Sequence, residues 1–179
     1  MEKRLVFAHG RAFLVTRLLI SAAIIVIVAA ALTLLPPIDV LPLATLVAVA
    51  AAYVVVFGFS PLWTRHWLTR SRLILRQGAY FRAIVPLAEI EAFEAADLEN
   101  PARVPLGIHR PLGQPTLFVT GGRTGLIRLR LTSPRRFWQS FGLLATSIVF
   151  DVTEPTKFLE ALTERRGLLA PVEAHRADP

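Results

Sequence analysis

The chain has 179 residues, 54% of them apolar, with 20 Lys and Arg against 13 Asp and Glu for a formal net charge of +7. It has no cysteine, which excludes disulfides and thiolate metal sites and agrees with a reducing compartment. The basic excess does not point to nucleic acid, because Lys3, Arg4, Arg11, Arg17, Arg65, Arg70, Arg72 and Arg76 crowd the two ends of one apolar stretch and leave an ordinary surface elsewhere.

That stretch runs from Leu18 to Trp63, where Asp39 is the only charged residue. A bilayer core takes about 20 apolar residues per spanning helix. The segment therefore reads as two transmembrane helices, residues 18–35 and 42–63, with a turn at Pro36, Pro37 and Asp39. Both are apolar on every face, whereas a surface helix of a soluble protein would keep a polar stripe. A secretory signal peptide fits badly, because the first run is too long and a second apolar run follows at once. Basic residues gather in the flank of residues 1–17 and again behind Trp63, while the turn offers none. The positive-inside rule then places both termini in the cytoplasm, for a multi-pass protein of the inner (plasma) membrane. Arg17, Trp63, Arg65 and Trp67 fall where interface anchors belong. Alanines at 22, 23, 29, 30 and 31 and at 44, 48, 50, 51 and 52 give faces small enough for close helix approach.

Residues 64–167 change to strand periodicity. HWLTRSRLILR and AYFRAIVPL flank Gln77-Gly78 as a hairpin, and EIEAFEA follows as a third extended run. The acids and prolines from Asp97 to Pro105 make a loop. TLFVT and LIRLRLT flank Gly121-Gly122-Arg123-Thr124-Gly125, read as a turn, and Ile127, Leu129 and Leu131 alternate with Arg128 and Arg130 as on a half-buried strand. PRRFWQSFGLL, an irregular or briefly helical segment, would gather Phe137, Trp138, Phe141 and Leu144 on one side behind Arg135 and Arg136. SIVFDV is a last strand. A helix then runs from Glu154 to Arg166, capped by Thr153 with Pro155 in its first turn, and residues 168–179 form a disordered tail. The expected fold class is α+β: two membrane helices, then an antiparallel barrel or sandwich of about seven strands closed by a C-terminal helix.

The run WLTRSRLILRQGAYFRAIVPLAEI, with Thr69, Arg72, Leu73, Gly78, Pro86, Leu87 and Ile90 in order, resembles the opening of bacterial pleckstrin-homology-like domains. VFDVTEPTKFLEALTER, with Pro155, Phe158 and Leu162, is similar to the last strand and helix of that family, and LGIHRPLGQPTLFVTG to a middle segment. The resemblance covers residues 65–166. It implies a scaffold more than a chemistry, since such domains serve as membrane-bound adaptors and, in eukaryotes, often bind phosphoinositide headgroups through basic residues of the first hairpin. Arg72, Arg76 and Arg82 occupy that region here.

No enzyme is expected. His9, His66, His109 and His175 are scattered, no phosphate cradle or nucleophile elbow is present, and Glu89, Glu91, Glu94, Asp97 and Glu99 lack both a nucleophile and the glycine-centred loop of a calcium site. No cofactor and no metal follow from the residues. The chain reads as a non-catalytic adaptor or accessory subunit of a membrane protein complex, or a homo-oligomer, with Arg135, Arg136, Phe137, Trp138, Phe141 and Leu144 as partner or interface contacts. The alternative is a sensor of anionic lipid headgroups acting through Arg72, Arg76 and Arg82.

Overall fold

The computed structural model of the chain describes residues 4–34, 40–96, 103–137, 142 and 144–169. Two long apolar helices form first. α1 spans Ala12–Leu34 and α2 spans Val40–Tyr53, continued by a π turn at Val54–Phe59 and a 3-10 turn at Ser60–Trp63. Ala12–Thr33 and Leu41–Trp63 are each long and apolar enough to cross a membrane. The turn with Pro36, Pro37 and Asp39 lies outside the described residues. α1 begins at Ala12 and not at Leu18, because Phe13, Leu14 and Val15 extend the apolar run across Arg17.

The two helices meet at their base. A Cβ on Gly58 would lie 2.7 Å from the Ser21 hydroxyl, so a larger residue there would force that hydroxyl to turn away, and glycine suits the close approach of the helices. Gly58 sits in the π turn, whose extra residue shifts the helix face below it.

Among the described residues nine strands, one before the helices and eight after them, form two sheets, against about seven expected. The first sheet has the order β1 (Leu5–Phe7), β2 (His66–Leu68), β3 (Arg72–Gln77) and β4 (Phe81–Pro86), antiparallel throughout. β1 comes from the flank of residues 1–17. It pairs with a strand on the far side of both helices, with Leu5 opposite Leu68, Val6 opposite Trp67 and Phe7 opposite His66. The run HWLTRSRLILR is two strands, because Thr69 folds it back: its hydroxyl accepts the Arg72 N–H at 3.1 Å and its own N–H donates to the Arg72 carbonyl at 2.9 Å.

The second sheet contains β5 (Ile90–Ala95), β6 (Gly107–His109), β7 (Thr116–Thr120), β8 (Leu126–Arg136) and β9 (Leu144–Asp151), in the order β5-β8-β9-β7-β6. Here the antiparallel expectation fails, since β7 and β9 run parallel. β9 lies between β7 and β8, so the chain from Thr120 to Leu126 must pass over the end of β9, a step of two strand spacings or about 10 Å. GGRTG is that crossing and not a tight turn. Gly125 adopts φ +64° directly over β9, where a Cβ would meet the Val152 carbonyl oxygen at 2.0 Å.

The sheets pack face to face without closing into a barrel. Leu73, Leu75, Phe81 and Val85 of the first meet Leu117, Ile127, Leu129, Ile148 and Phe150 of the second in one core. α3 (Pro155–Gly167) closes it with Phe158 and Leu162, both fully buried. Thr153 does not cap α3 as expected; its N–H donates to the Ala8 carbonyl at 2.9 Å, tying the helix approach to the linker before α1. The tail from residue 170 lies outside the described residues.

Replacing Gly125 by Ala should cost at least about 1–2 kcal/mol from the left-handed backbone alone, more with the carbonyl overlap. Thermal unfolding of the full chain in detergent will show a lowered Tm, while Gly113→Ala, at an open turn with φ +80° and no neighbour within 4 Å, will lose only the backbone part.

Candidate functional site

The outward face of the first sheet follows from strand alternation. Leu73 and Leu75 point into the core, so Arg72, Ile74 and Arg76 point out on β3, and Arg82 and Ile84 do the same on β4. Register sets Arg76 directly across from Arg82 and Trp67 of β2 across from Ile74. The indole of Trp67 covers Ile74, which is only 8% exposed although it faces outward. Two guanidiniums lie over that indole: Arg76 at 4.6 Å and Arg4 at 4.9 Å from the ring centroid. Each such contact is worth about 0.5–1 kcal/mol at an exposed site and holds the cation in a fixed direction.

Beside the stack opens a cavity of about 450 Å³ lined by Arg4, Trp67, Thr69, Ser71, Arg72, Ile74 and Arg82. None of the ion pairs among the described residues involves Arg4, Arg72, Arg76 or Arg82. Positive charge gathered on one face, with hydroxyls at its rim and an aromatic floor, has the chemistry to attract a phosphate-bearing anion. The sequence pointed to Arg72, Arg76 and Arg82, and the fold does bring them onto one face. It missed Arg4, which arrives on the segment leading into β1 from the other side of both helices, and it read Trp67 as an anchor alone.

The foot of the helical hairpin is built from the remaining anchors. Arg17 lies within α1, its guanidinium over Phe13 at 4.5 Å, Phe57 at 5.6 Å and Tyr80 at 5.8 Å. Tyr53, Phe57 and Tyr80 stack in series at 5.1 and 5.0 Å, joining α2 to the β3–β4 turn. Burial pushes the Tyr80 phenol above its ordinary pKa, with Arg17 opposing. The Ala79 N–H donates to the Ser60 hydroxyl and the Gly78 N–H to the Thr64 hydroxyl, both at 2.9 Å. Trp63 is 76% exposed, and Arg65 borders a small recess with His9 and Arg11.

A second knot holds the entry to α1. Both carboxylate oxygens of Asp151, wholly buried at the end of β9, accept backbone N–H groups at 2.5 Å, one from Gly10 and one from Gly121. The Gly121 carbonyl then accepts the Phe13 N–H at 2.8 Å. Burial raises the Asp151 carboxyl above its ordinary range, and the Gly121 and Gly10 amides work against that rise. His66 packs nearby, its ring 5.5 Å from that of His9. Its Nδ1 accepts the Arg76 N–H at 3.2 Å, which leaves its proton on Nε2. Burial, aided by His9, lowers its pKa to about 3. Sequence offered one signal for this knot, a lone carboxylate ending an apolar strand.

The segment expected to meet a partner is placed differently. β8 continues through Arg136, so Arg135 and Arg136 are strand residues and not the start of a helix; Pro134 sits within a register break that spares the ladder. Arg135 pairs with Glu89 at 2.5 Å, and Phe137 is 5% exposed and part of the core. Arg136 and the exposed Leu144 face each other at the end of the sheet remote from the hairpin, about 23 Å along β9 from Asp151. Trp138 and Phe141 lie outside the described residues, as do Asp97 and Glu99. Glu91 and Glu94 sit exposed on β5, and among the described residues no three His, Asp or Glu gather as a metal site.

Comparison with protein-family models, with curated proteins and with solved structures finds no match for this chain.

The His66 ring gives a pH dependence of known sign. The unfolded chain takes up a proton near pH 6.5 that the folded chain refuses until about pH 3, so this contribution is full above 6.5 and falls as pH drops, by up to about 1.4 kcal/mol per unit. Asp151, raised in the fold, works in the opposite sense. The comparison that isolates His66 is wild type against His66→Gln in thermal melts from pH 7.5 to 5: the variant should lose part of the acid sensitivity.

Proposed function

We propose that this chain is a two-span membrane protein whose hairpin holds a pleckstrin-homology-like domain against the inner leaflet, where its basic face takes the phosphates of anionic lipid headgroups. It works as a non-catalytic adaptor or accessory subunit, the headgroup contact fixing its orientation. The observation that carries the reading is the set of arginines around Trp67, none in an ion pair among the described residues, on β3, β4 and the segment leading into β1. Arg76 and Arg82 stand next to the β3–β4 turn that rests on the hairpin foot, whereas Arg72 is about 13 Å further along β3. The pair nearer the helices is at headgroup depth, and each arginine near an anionic surface is worth about 1 kcal/mol.

Two sheets followed by a helix, in the order of the resemblance, support the pleckstrin-homology-like assignment, and the parallel β7–β9 pair departs from it. The pairing of β1 with β2 requires both ends of the hairpin on one side of the bilayer, which agrees with both termini in the cytoplasm.

The test is native mass spectrometry of the full chain, delipidated and then offered phosphatidylglycerol or phosphatidylcholine. The wild type should retain the anionic lipid selectively, and Arg76→Gln with Arg82→Gln should weaken retention by about 2 kcal/mol, roughly thirty-fold. Equal retention of both lipids by the wild type would refute the headgroup reading. A stoichiometric protein companion in the same spectra supports the adaptor role, and a bare chain counts against it.

A further inference from the structure

β5 is the outer strand of the second sheet, and among the described residues no strand pairs with its other edge. The Ala96 N–H donates to the Leu126 carbonyl, and the register runs Ala95 opposite Ile127, Glu94 opposite Arg128 and Phe93 opposite Leu129. By the alternation of an antiparallel ladder, the amides and carbonyls of Phe93 and Ala95 point away from β8. An open edge of this kind is a template for one more strand.

Beside that edge, between β5 and the end of α3, lies a mainly apolar groove of about 550 Å³, lined by Leu87, Ala88, Phe93, Thr163, Arg166 and Leu169 among others. Arg166 stands 5.8 Å over the Phe93 ring. Edge and groove together match a strand that leaves main-chain bonds on β5 and turns one bulky side chain into the groove. An aromatic ring fits best, since it can slide beneath the Arg166 guanidinium as Phe93 already does.

Charge decides between occupants. Glu91 and Glu94 are exposed along β5, and the ion pair that Glu94 makes among the described residues, with Arg128 at 3.7 Å, is partly solvated, which leaves most of the negative charge unmet. A second copy adding its own β5 would set glutamate against glutamate across the new ladder, an unfavourable pairing. A strand with Lys or Arg opposite these positions gains where a second copy loses.

We propose that the β5 edge and the groove beside α3 form a docking site for an extended segment of a partner protein, basic on one face and bearing an aromatic residue on the other. This rests on the adaptor reading and names the partner's chemistry. It does not depend on the lipid face, which lies on the other sheet.

The experiment uses the full chain in phosphatidylcholine nanodiscs and a short labelled peptide that alternates lysines with threonines around one phenylalanine, followed by fluorescence anisotropy. Saturable binding is expected, weakened at least about tenfold when the lysines become glutamates, or when the protein carries Ala95→Pro or Glu94→Lys. Ala95→Pro removes only an outward amide on an edge strand, so sheet and fold are retained, which circular dichroism verifies. No binding at about 1 mM peptide, or binding that both protein variants leave unchanged, overturns the proposal. Concentration-dependent self-association abolished by Ala95→Pro also overturns it, by giving the edge to a second copy. A native companion protein that survives Ala95→Pro sustains the adaptor role while removing this site.

Discussion

Everything in this molecule hangs on a pairing between residues that precede the helical hairpin and residues that follow it. Leu5, Val6 and Phe7 lie against Leu68, Trp67 and His66. Three residues of antiparallel strand would not hold by themselves. They hold because the linker after them is clamped as well: Asp151 grips the amides of Gly10 and Gly121, and Thr153 grips the Ala8 carbonyl. The carboxylate is buried at a desolvation cost, and its two backbone N–H partners offset that cost. The glycines are forced by the same geometry, because a Cβ on Gly121 would stand 2.3 Å from the Gly10 carbonyl. Together with the Arg17 cage and the bonds from Ala79 and Gly78 to Ser60 and Thr64, these ties fasten the helices to the sheets at several points.

The outward face of the first sheet and the β5 edge of the second differ in charge, the face carrying arginines around an indole and the edge carrying glutamates beside an apolar groove. Neither pattern follows from net charge, which only reports that basic residues outnumber acidic ones. Strand alternation does the sorting: it turns Leu73 and Leu75 inward and so leaves Arg72 and Arg76 no other direction.

The sequence disclosed what depends on long uniform signals. An apolar run broken only by Asp39 marked the two long helices, the first of which starts six residues earlier than Leu18, and the alternation in LIRLRLT marked the core of β8. β1 and β6 were invisible because three residues carry no period, and β1 finds its partner only across the hairpin. GGRTG looked like a turn because glycines suit turns; that it crosses over β9 is a property of strand order, which local sequence does not encode. Phe137 looked like a contact residue because it follows two arginines and precedes a tryptophan. It is buried because β8 extends to Arg136 and leaves the ring over the core. On the candidate site, Arg72, Arg76 and Arg82 were legible from the first hairpin, whereas Arg4 needed the three-dimensional return of the N-terminus.

The same return has a kinetic side. During synthesis β1 emerges first, yet its partner follows roughly sixty residues later, after both apolar helices have left the ribosome. Closing so long a loop in a free chain carries an entropic cost that grows with the logarithm of its length. Antiparallel helices remove most of it, because once they stand side by side their two ends are already neighbours. Helix pairing is thus the step that brings the strands of the first sheet together, and without it the edge of β2 would stand uncovered.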